Sequence, residues 1–255
     1  MELRVLGCHG GETPKHKTSS FLIDGRIALD AGAVTSMLAL EEQRKVELVL
    51  VSHAHLDHIK DLATLADNRC QQGGPTIKIV GLPATIDILK KHFFNDLLWP
   101  DFSRIPAGPG PTIELIGLEA ETPTRFDGVE VQAIRVSHTI DTSAFIVRGE
   151  RGAIAYSGDT GPTDRLWELL SREPELRALL MEVSFPNEQH ALAKASGHHT
   201  PETLKVDFDK LDGQRELPIL MYHIKPVFER AVEKQLVAVN GRNMELCRLG
   251  DQYIL

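Results

Sequence analysis

The segment HAHLDH at residues 53–58 decides the fold of this chain. It follows the apolar run Val46–Val51, which has the composition of a fully buried strand. Side chains repeat every two residues along an extended chain, so His53 and His55 point the same way. The Asp-His pair that ends the segment lies just past the strand end and can turn toward a second ion. Imidazole and carboxylate are the usual ligands of zinc and related metals, so the segment predicts a two-metal site.

Further ligands must come from other parts of the chain, because four side chains cannot complete two metal sites. Three candidates each follow a predicted apolar strand: His138 after Val129–Val136, Asp159 after Ala153–Tyr156, and His223 after Leu217–Tyr222. The same context recurs three times, with an apolar strand followed by a residue of metal-ligand type. Together with Asp57 and His58, these residues predict one binuclear centre, with ions ~3.5–4 Å apart.

The bulk composition describes an acidic globular protein. The net charge is −8 and the sequence pI is about 5.8, which disfavours a general nucleic-acid binder because phosphate backbones are held by Lys and Arg. No apolar run is long enough to span a bilayer, and the first residues do not resemble a signal peptide, so we expect a cytoplasmic protein without a membrane partner. Three distant cysteines indicate no disulfide framework.

Strand and helix patterns are interleaved through both halves of the chain. Other predicted strands are Glu2–Leu6, Ser20–Ile23, Arg26–Asp30, Thr76–Val80, Ile113–Ile116, Ala144–Val147, Leu179–Val183 and an edge strand within Glu245–Leu255. Predicted helices are Pro83–Trp99, Asp164–Ser171, one from Pro201 toward Leu211, and Pro226–Val239. An αββα sandwich would bury these strands between two layers of helices. No linker is visible, so we expect a single domain over residues 1–255.

The order of the motifs resembles the metallo-β-lactamase superfamily: HxHxDH, then His138, then SGDTG at 157–161, then His223. The resemblance implies an α/β fold, the αββα sandwich of that superfamily, and two bound divalent ions. Zinc is the first candidate, and iron and manganese are the alternatives. It implies that the first ion binds His53, His55 and His138, that the second binds Asp57, His58 and His223, and that Asp159 bridges both.

Three further segments resemble the class II cyclic-nucleotide phosphodiesterases. They are VLGCHGG at 5–11 with TSSFLI at 18–23 and LDAG at 29–32, HLDHI at 55–59, and HFFNDLLWPD at 92–101. Asp61 and His199 depart from that pattern, where the family prefers a small residue and Leu. The resemblance implies a metal-dependent hydrolase that converts 3',5'-cyclic nucleotides, with cAMP first, to 5'-nucleotides through a hydroxide bridging the metals. The expected partner is thus a small cyclic nucleotide, and a homodimer is considered because dimers are common among such proteins.

Hydrolysis also needs a proton for the leaving oxygen. Related ribonuclease Z enzymes have a Glu and a Gly-His pair similar to Glu182 and Gly197-His198 in this chain. The resemblance implies that His198 donates the proton and that Glu182 orients it. Asp57 is counted with these two as catalytic as well as a ligand. His199 is interpreted as structural.

Several alternatives remain at this point. A ribonuclease Z-like nuclease shares the ligand order, but such enzymes use a basic arm, and the short run at 106–111 is uncharged. A β-lactamase would more typically have Cys in place of Asp159, and a binding protein without turnover would be free to lose ligands. The aromatic residues Phe94, Trp99 and Phe102 suit either base stacking or a buried stripe.

Overall fold

The computed structural model describes residues 1–212, 216–239 and 241–255. Over these residues the strands form two seven-stranded sheets. The first sheet contains β1 Glu2–Gly7, β2 Ser20–Ile23, β3 Ile27–Leu29, β4 Leu48–Leu50, β5 Ile77–Gly81, β6 Ile113–Gly117 and β14 Gln252–Ile254. The second contains β7 Thr124–Phe126, β8 Val129–Val136, β9 Thr142–Gly149, β10 Gly152–Tyr156, β11 Leu176–Glu182, β12 Pro218–Tyr222 and β13 Asn243–Leu246.

Helices cover the outer face of each sheet. They are α1 Val34–Met37, α2 Leu40–Gln43, α3 Leu56–Ile59, α4 Asp61–Gln72, α5 Pro83–Ile88, α6 Arg165–Leu170, α7 His190–Ser196, α8 Pro201–Phe208 and α9 Glu229–Leu236. A π-helical turn, Leu89–Phe93, extends α5, and 3₁₀ turns occupy Asn187–Gln189 and Pro226–Phe228. In the parts of the chain that the structure describes, no helix is long and apolar enough to cross a membrane.

Strand β10 shows why the strands are apolar on both sides. Ile154 and Tyr156 belong to the core between the two sheets, whereas Ala153 and Ala155 pack in the layer that contains α6 and α8. Alternate residues of one strand therefore enter two different layers. A third apolar cluster joins the first sheet to its own helices. The predicted αββα sandwich is confirmed.

The strand directions bring the polar strand ends to one edge of the sandwich. Strands β10, β11 and β12 are parallel neighbours, and β8 has the same direction because both β8 and β10 are antiparallel to β9. In the first sheet, β4 is parallel to β3 and β5. The segments that follow β4, β8, β10 and β12 therefore carry the predicted ligands toward a common position.

The predicted helix Pro83–Trp99 is wrong in its last third. Helical structure ends at Phe93, and Leu97, which lies within the predicted helix, is 91% exposed. The cause is Asn95, whose Oδ1 accepts hydrogen bonds from the backbone N–H groups of Leu97 and Leu98 at 3.0 and 2.8 Å. Such a local side-chain acceptor competes with the helical hydrogen bond.

Other boundaries also differ from the sequence prediction. Helices α4 and α7 were not predicted, α8 ends at Phe208 rather than near Leu211, and the predicted helix Pro226–Val239 begins with a 3₁₀ turn and ends at Leu236. The tail forms two short strands in place of one edge strand: β13 pairs with β12, and β14 pairs with β1. Each sheet thus receives one edge strand from the tail.

Candidate metal centre

The first group of predicted ligands converges on one point. Nε2 of His53 lies 3.0 Å from Nδ1 of His55, which lies 3.2 Å from Nε2 of His138. Nitrogen ligands around a tetrahedral zinc ion, with bonds of 2.0–2.1 Å, stand about 3.3 Å apart. These ring nitrogens are therefore spaced as ligand atoms of a single metal ion would be.

The second group lies next to the first. Oδ2 of Asp57 is 3.8 Å from Nε2 of His58 and 3.5 Å from Nε2 of His223. His58 comes from α3, which starts directly after the histidine pair, and His223 follows β12 of the other sheet. The two sheets thus supply ligand-type atoms to the same group.

Asp159 stands between the two groups. Its Oδ2 lies 3.7 Å from Nε2 of His53, 3.2 Å from Nε2 of His58 and 3.3 Å from Nε2 of His223. The side chain is fully buried, and the turn before it contains Gly158 with φ +60, where a Cβ would meet the Ser143 carbonyl oxygen at 2.7 Å. One carboxylate is therefore positioned to face ions in both groups.

Polar atoms without partners show that the cluster fits metal ions. Seven buried side-chain atoms of the described residues lack a hydrogen bond, and three of them are Nε2 of His58, Nε2 of His223 and Oδ1 of Asp159. Leaving such an atom unsatisfied costs roughly 1–3 kcal/mol. All three atoms belong to the cluster, and a cation between them would satisfy each. The donor set of neutral imidazole and carboxylate suits two divalent ions.

Burial prepares most of the imidazoles for binding. It lowers the pKa of His53, His55, His138 and His223, and so favours the neutral ring that has a lone pair for a metal. For Asp159, burial alone would raise the pKa, but the charges of His223 and His58 hold it well below its usual range. The carboxylate therefore stays ionised.

Asp30 contacts His58 on the side of the ring that faces away from the other predicted ligands, and it was not predicted to take part in the site. Burial alone would lower the pKa of His58, but the carboxylates of Asp159 and Asp30 raise it well above its usual value. Asp30 also accepts hydrogen bonds from Ser52 Oγ at 2.7 Å and from Tyr156 Oη at 2.5 Å, and its backbone has φ +54. The strained backbone and the full set of donors fix the carboxylate behind His58.

Glu182 and His198 form a buried pair beside the cluster. Oε1 of Glu182 lies 2.9 Å from Nδ1 of His198 and accepts the backbone N–H of Thr160 at 3.0 Å. Burial alone would lower the pKa of His198, but the charge of Glu182 raises it. The ring of His198 stacks on His223 with centroids 5.2 Å apart. The structure thus brings the predicted proton donor and its carboxylate to the metal ligands.

Ser184 is a second residue that the sequence analysis did not identify. Its Oγ lies 2.8 Å from Nδ1 of His223, and it donates to Oε2 of Glu182 at 3.0 Å. The residue therefore links His223, a predicted metal ligand, to the carboxylate that contacts His198.

The position before His198 requires a glycine. Gly197 ends α7 in the left-handed conformation, with φ +69, and a Cβ there would lie 2.9 Å from Cα of His138. Its carbonyl oxygen lies 2.9 Å from Nδ1 of His138, which leaves Nε2 of that ring toward the cluster. His199, the residue after His198, is buried, and its Nδ1 lies 3.0 Å from Thr203 Oγ1.

One side of the cluster is open. The Asp57 side chain is 29% exposed, and His55 and His138 are partly exposed, whereas the other predicted ligands are buried. Leu56, which stands between two ligands in sequence, is 66% exposed. Phe94 and Phe102 are buried in the helix layer, while Trp99 is partly exposed and its indole N–H donates to the Ala63 carbonyl at 3.1 Å. A small substrate can therefore approach from the side of α3.

Comparisons with known proteins find cyclic-nucleotide phosphodiesterases among the relatives of this chain. Two curated relatives are each 27% identical to this chain. The "Probable 3',5'-cyclic-nucleotide phosphodiesterase" of Yersinia pestis aligns with 90% of this chain and 79% of its own length. The "3',5'-cyclic-nucleotide phosphodiesterase" of Aliivibrio fischeri aligns with 97% and 90%.

The structural match covers the whole chain. The crystal structure of unliganded yeast PDE1 superposes with a TM-score of 0.85 at 20% identity, over 100% of this chain and 99% of that one. The sequence model of the family described as "Beta-lactamase superfamily domain" matches residues 21–221, which contain every predicted ligand except His223. The chain belongs to the family of β-lactamase superfamily domains, and it is a hydrolase with the metallo-β-lactamase fold.

Proposed function

We propose that this protein is a metal-dependent phosphodiesterase that hydrolyses 3',5'-cyclic nucleotides, with cAMP as the first substrate, to 5'-nucleotides. The observation that carries metal-dependent hydrolysis of a phosphodiester is the Glu182–His198 pair, held at 2.9 Å directly beside a cluster of seven side chains of metal-ligand type. A ribonuclease Z-like nuclease would share this pair, so the choice of cyclic nucleotides depends on the relatives. The names of the curated relatives support the same substrate class.

In this proposal His53, His55 and His138 would hold one ion, and Asp57, His58 and His223 would hold the other. Asp159 would be a ligand of both. Zinc is the first candidate, because most of the donors are imidazoles. Two bound ions supply positive charge for a phosphodiester and lower the pKa of water so that it attacks near neutral pH. This explains how a chain with a net charge of −8 handles an anionic substrate.

His198 acts on the leaving group. Conversion to a 5'-nucleotide breaks the bond between phosphorus and the ribose 3' oxygen, and that oxygen must gain a proton. Glu182 holds Nδ1 of His198, so Nε2 is the ring nitrogen that can deliver the proton. A positioned general acid typically contributes ~10²–10⁴-fold to the rate.

The first test is an assay of protein with measured metal content on cAMP, cGMP, bis(p-nitrophenyl) phosphate and a precursor tRNA. We expect turnover of cAMP that a chelator abolishes, and we expect Asp159→Ala to lose both metal and activity. Cleavage of the tRNA with cAMP untouched would replace the proposal by the nuclease alternative. Full activity of Asp159→Ala would refute the assignment of that residue as a shared ligand.

A further inference from the structure

A second group of metal-ligand side chains lies outside the centre described above. His9 and His16 belong to the segment between β1 and β2, and Glu229 is the first residue of α9. One ligand-type atom from each of the three lies within 4.8 Å of the others. His16 and Glu229 are 213 positions apart in sequence and meet only through the fold.

The local contacts leave one ring nitrogen of each histidine toward the shared position. Nδ1 of His16 is held by Thr13 Oγ1 at 2.5 Å, and its Nε2 lies 3.4 Å from Oε2 of Glu229. Nδ1 of His9 lies 3.3 Å from the Lys17 carbonyl oxygen and 3.4 Å from the Lys17 backbone nitrogen, so the backbone of Lys17 holds this side of the ring. Metal-bound histidines usually have their other ring nitrogen held by an oxygen, as Thr13 holds His16.

The two oxygens of Glu229 have different neighbours. Oε2 faces His16, whereas Oε1 lies 3.5 Å from Nη1 of Arg248, and that guanidinium also donates to Glu233 at 2.8 Å. The carboxylate is therefore oriented by a cation on one side and presents its other oxygen to the histidines. The His9 and His16 rings stand edge to face with centroids 4.6 Å apart, and one ligand-type atom of each lies within 4.8 Å of the other and of a Glu229 oxygen.

We propose that His9, His16 and Glu229 form a third divalent-metal site, of the zinc type, separate from the binuclear centre. Two imidazoles and one carboxylate are a known zinc donor set that leaves the fourth position to water. His9 is mostly buried, while the side chains of His16 and Glu229 are 18% and 30% exposed. An ion can thus enter from solvent and be held partly within the protein.

The position of this site gives it a structural role. The backbone of His9 pairs with Ile224, and the Cys8 carbonyl accepts the N–H of His223 at 2.7 Å. Gly10 lies so close that a Cβ there would be 2.5 Å from the His223 carbonyl oxygen. An ion between the loop and α9 would hold the segment that supports His223, whose backbone has the strained φ of +70.

The test counts bound zinc by mass spectrometry after dialysis in a buffer that clamps free zinc at a low fixed concentration. We expect three equivalents in the native protein and two in Glu229→Gln and in His16→Asn. Glu233→Gln is the matched control: it changes the same helix and the same arginine partner but is not in the cluster, so it should keep three.

The proposal would be overturned if Glu229→Gln and His16→Asn each bound as much zinc as the native protein, whatever the content of the binuclear centre. If a variant fails to fold, anomalous diffraction from crystals of the native protein at the zinc edge decides instead. A peak between His9, His16 and Glu229 supports the site, and a peak at the binuclear centre alone rejects it. Neither readout measures hydrolysis, so failure here is distinct from failure of the proposed function.

Discussion

The carboxylate of Asp30 lies 2.6 Å from Nδ1 of His58, at the far side of the ring from Asp159. The two side chains are both fully buried. Because Asp30 occupies one ring nitrogen, Nε2 is the nitrogen that faces the other predicted ligands. The contact therefore determines which tautomer His58 presents to a metal.

Replacing Asp30 by Asn should weaken the binding of one of the two ions by ~10–100-fold, the usual effect of losing the outer partner of a metal-bound histidine. The second ion should be affected first, because Asp30 contacts a ligand of that site. Zinc titration against a competing chelator measures the effect. The exposed Asp87→Asn is the control and should bind as the native protein does. Unchanged affinity in Asp30→Asn would show that Ser52 and Tyr156 suffice to hold the region.

His198→Asn should lower kcat by an amount that depends on the leaving group of the substrate. We expect a loss of ~10²–10⁴-fold in kcat for cAMP, whose ribose oxygen needs a proton. The loss should be small for bis(p-nitrophenyl) phosphate, because nitrophenolate leaves without one. Metal content should stay at the native level.

The exposed His190→Asn, on α7, is the control for this change and should leave both rates as they are. Equal losses on both substrates would mean that His198 holds the ligands in place and does not donate a proton. A Glu182→Gln variant should show the same dependence on leaving group more weakly, since the carboxylate acts through His198.

Gly32→Ala should damage the second metal site through its backbone. A Cβ at Gly32 would lie 2.2 Å from the carbonyl oxygen of Asp57, so the segment that carries Asp57 must move. We expect a loss of stability of ~1–3 kcal/mol, typical of overpacking in a filled interior, together with weaker metal binding. Thermal unfolding and zinc titration measure the two effects. Gly117→Ala, whose Cβ would have no neighbour closer than 3.5 Å, should change neither.

Removing the metals should destabilise the protein. An ion at a free concentration 100 times its Kd stabilises the folded state by about 2.7 kcal/mol per site. For two ions in a chain of this size, a fall in Tm on the order of 10 °C is expected on chelation. Scanning calorimetry with and without chelator measures it. An unchanged Tm would mean that the orphaned atoms of His58 and His223 are satisfied without metal.

The sequence allowed the ligand cluster to be predicted because ligand-type residues stand directly after apolar strands, a pattern visible along the chain. Asp30 and Ser184 carried no such signal, because their partners, His58 and His223, lie 28 and 39 positions away. Only the paired sheets bring them together. A single Asp or Ser in an apolar context fits many structural roles.

Helix α4 escaped prediction for a different reason. Leu62, Leu65 and Ala66 lie on its buried face, but the next position on that face is Arg69. That arginine is buried because its guanidinium donates to the carbonyl groups of Gln43, Arg44, Val46 and Pro75. A charged residue on the buried face interrupts the apolar period, and its compensation comes from a distant loop.

The division of the predicted ligands between the two sheets has a consequence for biosynthesis. His53 and His55 follow β4, but the group they belong to needs His138, which is translated 138 − 53 = 85 residues after His53. The other group needs His223, a further 223 − 138 = 85 residues later. A nascent chain therefore completes the all-histidine group before the mixed one. If both groups bind ions, the order of the predicted ligands along the chain sets the order in which a ribosome-bound protein can acquire them.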